Sequence, residues 1–326
     1  MDVAIRAEVH GRDGASFRRL LQCGDRLKLH QLRWRNCPHK ALESELKGWE
    51  QTADALHAAV KKLRGPLLML GDSVGRDIFT LASCLLHARH GLAEADSFGR
   101  IWNRHMPVCS EGRCAFRVRS QKDARIDFVW LRGSRRDGSW YSPSEVSAAS
   151  NASAAVVSAG AHFQSYAAMV DSLRENHLWL RERAGENTPI GVVEYPAPHW
   201  PLSPAGEYEG WMTLDEGWMT LRRRSRGRAA AGRALNCTPH GNASGKEAEL
   251  PFRLQASRAS AKQLPGARLI EMWRPSISSF DDHMGPAAAR LTVSDCRHFC
   301  NPGRTYLGAV SRIARFVQER GGSPDA

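Results

Sequence analysis

Five short apolar runs recur along this chain of 326 residues: Pro66 to Leu70, Ile126 to Leu131, Ala154 to Ser158, Ile190 to Tyr195 and Ala267 to Met272. Their length and β-leaning content read as strands. Segments of helical character lie between and after them. Val74 to Ala88 places Ile78, Leu81, Leu85 and Leu86 on one face, and Tyr166 to Arg183 forms a second such stretch. Tyr306 to Gln318 sets Leu307, Val310, Ile313, Phe316 and Val317 at helical spacing. Strands that alternate with helices imply a mostly parallel sheet covered on both faces. The expectation is one α/β domain over residues 65–326.

Two regions fit that pattern poorly. Residues 1–64 read as an amino-terminal strap or small subdomain carrying Cys23 and Cys37. Residues 209–266 read as a long surface excursion, without sustained periodicity and with a run of arginines from Arg222 to Arg233. Inside it Glu209-Gly-Trp-Met-Thr-Leu214 is nearly repeated as Glu216-Gly-Trp-Met-Thr-Leu221. One such echo is a local duplication rather than a solenoid; a sugar-stacking pair, Trp211 and Trp218, is the alternative.

Lysine and arginine number 46 against 34 acids, a net charge of +12. This favours anionic partners or surfaces. No zinc-finger spacing or repeated basic-aromatic pattern accompanies the charge, so nucleic acid is not an expected partner. No stretch reaches the roughly 18 apolar residues of a membrane span. The eight cysteines are Cys23, Cys37, Cys84, Cys109, Cys114, Cys237, Cys296 and Cys300. An even count without Cys-x-x-Cys points to disulfides, with eight free thiols as the alternative. Asn-x-Ser/Thr triplets at Asn151, Asn236 and Asn242 lean towards secretion. Residues 1–30 hold no apolar core of signal-peptide length, and an incomplete amino terminus would reconcile the two.

Gly71-Asp72-Ser73 follows the first apolar run directly, and Asp295-Cys296-Arg297-His298 lies near the far end. A strand that stops at Gly-Asp-Ser and continues into a helix leaves the serine at the strand's carboxyl end, where open α/β sheets bind ligands. Serine needs a base to take its proton, and the imidazole needs a carboxylate to hold its tautomer. Asp-x-x-His can put both side chains near one face of a turn. Ser73, His298 and Asp295 are therefore the candidate nucleophile, base and acid, although His298 taken alone reads as an ordinary surface or packing histidine.

Gly71-Asp72-Ser73-Val74-Gly75-Arg76 resembles the Gly-Asp-Ser-x-x-Arg opening of the trichome-birefringence-like and PC-esterase proteins, a branch of the SGNH hydrolase-like superfamily. Asp295-Cys296-Arg297-His298-Phe299-Cys300-Asn301-Pro302-Gly303 resembles that family's Asp-Cys-x-His-Trp-Cys-x-Pro-Gly closing motif, with Phe299 for the aromatic. Further similarities follow in order: Trp34-Arg35-Asn36-Cys37, Ser83-Cys84-Leu85-Leu86, Val157 to Phe163, Glu194 to Trp200, and Asp282-His283. The resemblance runs from about residue 34 to 316 and is weakest through 209–266.

The resemblance implies a disulfide-braced, SGNH-like three-layer α/β/α fold in which Ser73, His298 and Asp295 form the triad. The serine of such proteins takes an acyl group, usually acetyl, and passes it to a sugar hydroxyl or to water. The expected activity is a glycan or polysaccharide O-acetyltransferase in the Golgi lumen. A carbohydrate acetyl-esterase with the same triad, and a catalytically silent glycan-binding or wall-organising protein, are the alternatives. The acetyl donor would be acetyl-CoA or another acetyl carrier, although no phosphate-cradling glycine loop accompanies it.

Oxyanion donors are expected from the Ser73 N–H and from Gly75 or Gly160. Ser158 stands where the family tends to carry asparagine, a shorter donor that would weaken the hole. His162 and His199 resemble family positions near the cleft; each is either a substrate contact or a hydrogen-bonded structural histidine. Arg76 either pairs inside the fold, the favoured reading, or touches a substrate. By similarity Cys237 would pair with Cys296, and Cys300 with Cys23 or Cys37, with Cys84 taking the remaining partner. Cys109 and Cys114 could close a local hairpin. No metal is required. Asp281, Asp282, His283, Asp295 and His298 make only a site on paper.

Overall fold

The computed structural model describes residues 48–97, 115–131, 141–160, 163, 165–197, 252–279, 283–286, 294–299 and 304–320. The main sheet has seven strands in the order β2-β3-β4-β1-β5-β6-β7. They are β1 (Leu67–Gly71), β2 (Leu92–Ser97), β3 (Ala115–Ser120), β4 (Arg125–Trp130), β5 (Ala154–Ser158), β6 (Ile190–Val193) and β7 (Ala267–Ile270). β4, β1, β5, β6 and β7 run parallel, with Leu67 level with Ile126 on one side and Ala154 on the other. β2 and β3 extend the sheet antiparallel beyond β4.

The five apolar runs of the sequence are the five parallel strands. β1 and β5 are buried at every position, because helices cover both faces. Leu67 and Met69 pack on one face with α1 (Trp49–Lys61), α2 (Ser73–His90) and α7 (Arg304–Arg320). Leu68 and Leu70 pack on the other with α3 (Pro143–Ser150), α4 (Tyr166–Ala184) and α5 (Phe252–Gln263). The architecture is a three-layer α/β/α sandwich. A short helix α6 (Trp273–Ile277) follows β7, and β8 (His283–Pro286) pairs antiparallel with β9 (Ser294–Phe299) in a separate two-stranded ribbon.

Within the stretch expected as a strap, α1 packs Ala53, Leu56, Ala59 and Val60 into the core beside α2 and α7. Within the stretch expected as an excursion, α5 buries Leu254, Ala256, Ser257 and Ser260. Residues 1–47 lie outside the described residues. Residues 198–251, including the arginine run and the duplicated tryptophan segment, lie outside the described residues.

Candidate active site

The turn after β1 is held on both sides before the helix begins. Gly71 C=O accepts from the Leu131 N–H at 2.8 Å, and the Asp72 N–H donates to the Ser158 carbonyl at 3.1 Å. Asp72 is the N-cap of α2, and its Oδ1 accepts from the Val74 N–H at 3.0 Å. Side-chain capping of this kind satisfies one of the donors that a helix start leaves unpaired. Ser73 is then the first helical residue, buried at the carboxyl end of β1.

The segment Gly71-Asp72-Ser73-Val74-Gly75 has Gly-x-Ser-x-Gly spacing, a pattern associated with a strained nucleophile turn. Ser73 is not strained in that way. Asp123 is the sole non-glycine residue with positive φ among the described residues. The glycines serve close approach instead. A Cβ on Gly71 would lie 2.9 Å from the Gly75 Cα, and one on Gly75 would lie 3.1 Å from the Ser158 Cβ. Strand, helix start and β5 therefore meet within one side chain's width.

The layer assignment places a topological switch point at this edge. The helix after β1 covers one face of the sheet, whereas α4, after the neighbouring β5, covers the other. Adjacent strands whose connections leave in opposite directions open a crevice at their carboxyl ends. Ser73 follows β1 at this switch point, and Ser158 ends β5 level with Gly71. Gly160 follows at φ 145°, where a Cβ would collide with the Tyr195 ring at 2.3 Å. Arg253, buried in α5, donates to the carbonyls of Gly160 and Phe163 and lies over the Phe252 ring.

Arg76, one turn into α2, pairs with Asp77 at 2.8 Å. The Tyr306 hydroxyl of α7 lies 3.5 Å from Asp77 Oδ2. This contact ties the helix carrying Ser73 to the helix that follows the closing Asp-x-x-His segment. Glu194, at the end of β6, accepts from the Met272 and Trp273 N–H groups at 2.9 and 2.6 Å and from Arg258 Nε at 2.7 Å. The loops at this edge are thus fixed from below by buried charge.

No protein-family model matches the chain, and no curated protein matches it.

Of the expected site residues, the fold brings Ser73, Gly75, Ser158 and Gly160 to one sheet edge, with Arg76 turned to Asp77. Asp295 and His298 lie on β9, a strand rather than a turn. Its ladder is irregular: His283 pairs with Phe299, and the next residue, Met284, pairs with Asp295. Cys296, Arg297 and His298 fall between those two pairings, where the register shifts. Such an irregularity interrupts the strict two-residue alternation of a strand. The side chains of Asp295, His298, His283 and Cys296 lie outside the described residues, as do His162, His199, Asp281 and Asp282.

Cys84, buried in α2, is disulfide-bonded. Cys23, Cys37, Cys109, Cys114, Cys237 and Cys300, and with them the expected pairings, lie outside the described residues. Among the described residues no group of three or more metal-ligating side chains converges, and no helix is long and apolar enough to cross a membrane. Sequence reading passed over Asp77, Tyr195 and Arg253 as parts of this edge. They act through contacts between distant segments and leave no local pattern.

Proposed function

We propose that the chain is a glycan or polysaccharide O-acetyltransferase of the secretory pathway with an SGNH-like site, in which Ser73 carries the acetyl group between donor and acceptor. The observation that carries this reading is the place of Ser73: first residue of α2, at the carboxyl end of β1, beside the switch point formed with β5. In the proposed cycle His298 takes the Ser73 hydroxyl proton as Oγ attacks the donor carbonyl, and Asp295 holds the imidazole's tautomer. The tetrahedral oxyanion collapses, the donor thiolate or alkoxide leaves with the proton, and acetyl-Ser73 remains. A sugar hydroxyl then attacks the acetyl carbonyl with His298 taking its proton; the bond to Ser73 Oγ breaks, the acetyl group leaves on the sugar oxygen, and His298 returns the proton to Oγ.

The helix start supplies favourable partial charge for the oxyanion. The Ser73 and Gly75 N–H groups are the proposed donors, with Ser158 beside Gly75 as a short third. A brace of disulfides around the closing motif would limit the freedom of the base. The acetyl donor is proposed as acetyl-CoA or another acetyl carrier, and the acceptor as a glycan.

Incubating the purified chain with acetyl-CoA and oligosaccharide acceptors, beside an aryl acetate, separates the readings. Acetylated oligosaccharide that disappears in Ser73→Ala is the expected result. Acetate release without transfer assigns the site to an esterase. Glycan binding that survives Ser73→Ala, with no turnover in either protein, assigns it to a silent binding protein.

A further inference from the structure

A cleft of about 220 Å³ lies away from the Ser73 edge, between the edge strand β7 and the terminal helix α7. Leu269, Ile270 and Phe316 contribute its apolar lining, and four arginines face it: Arg268 from β7 with Arg312, Arg315 and Arg320 from α7. Glu271 and Glu319 also line it, which leaves the lining two charges positive. Arg312 Nη1 donates to the Gly308 carbonyl at 3.0 Å. Arg268, Arg315 and Arg320 hold no ion pair or hydrogen bond among the described residues.

That distribution is unlike the rest of the described fold, where arginines are mostly spent on internal partners. Arg76 pairs with Asp77, Arg117 and Arg125 share Asp127, Arg119 holds Glu94, Arg258 holds Glu194, and Arg181 binds carbonyls. Guanidinium groups present planar forks of donors that match carboxylate and sulfate oxygens. Three of them unpaired around one concavity are a receptor for such oxygens. The cleft is smaller than the roughly 300 Å³ at which pockets for drug-sized ligands begin. It suits one charged group or sugar residue at a time rather than a nucleotide.

We infer that this cleft binds the carboxylate or sulfate groups of an acidic glycan, at a site separate from Ser73. The word glycan rests on the proposed function; the anion chemistry rests on the arginines alone. A polymer held here would be retained on the protein while another part of it reaches the Ser73 edge.

The test is binding by the full chain at low salt, using a carboxylated oligogalacturonide, a sulfated oligosaccharide and a neutral xylo-oligosaccharide of equal length. The wild type is expected to bind one or both acidic oligomers and not the neutral one, with affinity that falls as salt rises. Arg268→Ala/Arg315→Ala should weaken binding at least tenfold. Arg64→Ala/Arg274→Ala, which removes the same charge elsewhere on the surface, should leave it unchanged. Ser73→Ala should also leave it unchanged, so loss of the proposed catalysis and loss of this site are read separately. Equal weakening by both double variants, equal binding of the neutral oligomer, no binding, or tighter binding of single-stranded DNA or phosphatidylserine vesicles would each overturn the inference. The sulfated and carboxylated arms decide which oxyanion is preferred.

Discussion

Gly71 and Gly75 are four residues apart and face different constraints. A Cβ at Gly71 meets the Gly75 Cα, which is backbone and cannot swing away, so Gly71→Ala should cost about 1–3 kcal/mol of stability. Gly75→Ala needs the Ser158 side chain to give by only a few tenths of an ångström, and removing a helical glycine regains part of the loss. Urea unfolding should therefore rank Gly71→Ala well below Gly75→Ala in stability; equal midpoints would contradict the close approach. Asp72→Ala should cost about 1 kcal/mol by releasing the Val74 N–H from its cap. The triplet was legible in the sequence because each of its residues acts locally: the glycine permits the turn, the aspartate caps and the serine begins the helix. The contact between Gly75 and Ser158 was not, since it exists only once β5 lies beside β1.

At the scale of elements, the α1–α2 contact carries a pH dependence. His57 and His90 stack with ring centroids 4.0 Å apart, and His57 Nε2 has no hydrogen-bond partner. Burial pushes both imidazoles below the ordinary histidine range; Lys61 and Lys122 add to this at His57, and Lys122 and Arg89 at His90. Asp54, whose Oδ1 lies 3.1 Å from His90 Nε2, opposes the shift in part. The unfolded chain binds protons at these sites more readily than the fold does. Their contribution is complete above the unfolded value of about 6.5 and is lost as the pH falls below it. Thermal unfolding should show Tm falling on acidification through that range, with a shallower fall in His57→Phe. An unchanged slope would mean that the stacked pair does not titrate in this way. At the other end of the sheet, Glu194→Ala should cost about 3 kcal/mol, because it strands two N–H groups and the Arg258 guanidinium. Denaturant unfolding measures it, and a loss below about 1 kcal/mol would show that the edge loops do not depend on this carboxylate. Elements with large apolar residues were read directly, whereas α1 and α5 were passed over. α1 does carry an apolar stripe, with Trp49, Ala53, Leu56 and Val60 at helical spacing. α5 buries mainly small or polar groups with Leu254 and shows no such stripe. β2 and β3 escaped because the register of their added ladder is supplied by β4, not by their own composition.

At the scale of the whole molecule, the parallel order of the sheet and the opposite exits of α2 and α4 set a switch point between β1 and β5, and Ser73 stands at it. The alternation of strands and helices made the layers legible, but strand order depends on which neighbours pair, and no local run encodes that. The same holds for the closing segment, expected in a turn and found on a bulged strand. The proposed function requires that Ser73 become acylated. The direct measurement is peptide mass spectrometry of the intact chain quenched in acid after brief exposure to an acetyl donor without acceptor. A single acetyl group is expected on the peptide containing Ser73, absent in Ser73→Ala and discharged when acceptor is added. Turnover of the donor with Ser73 unmodified, or an unaltered rate in Ser73→Ala, would contradict it.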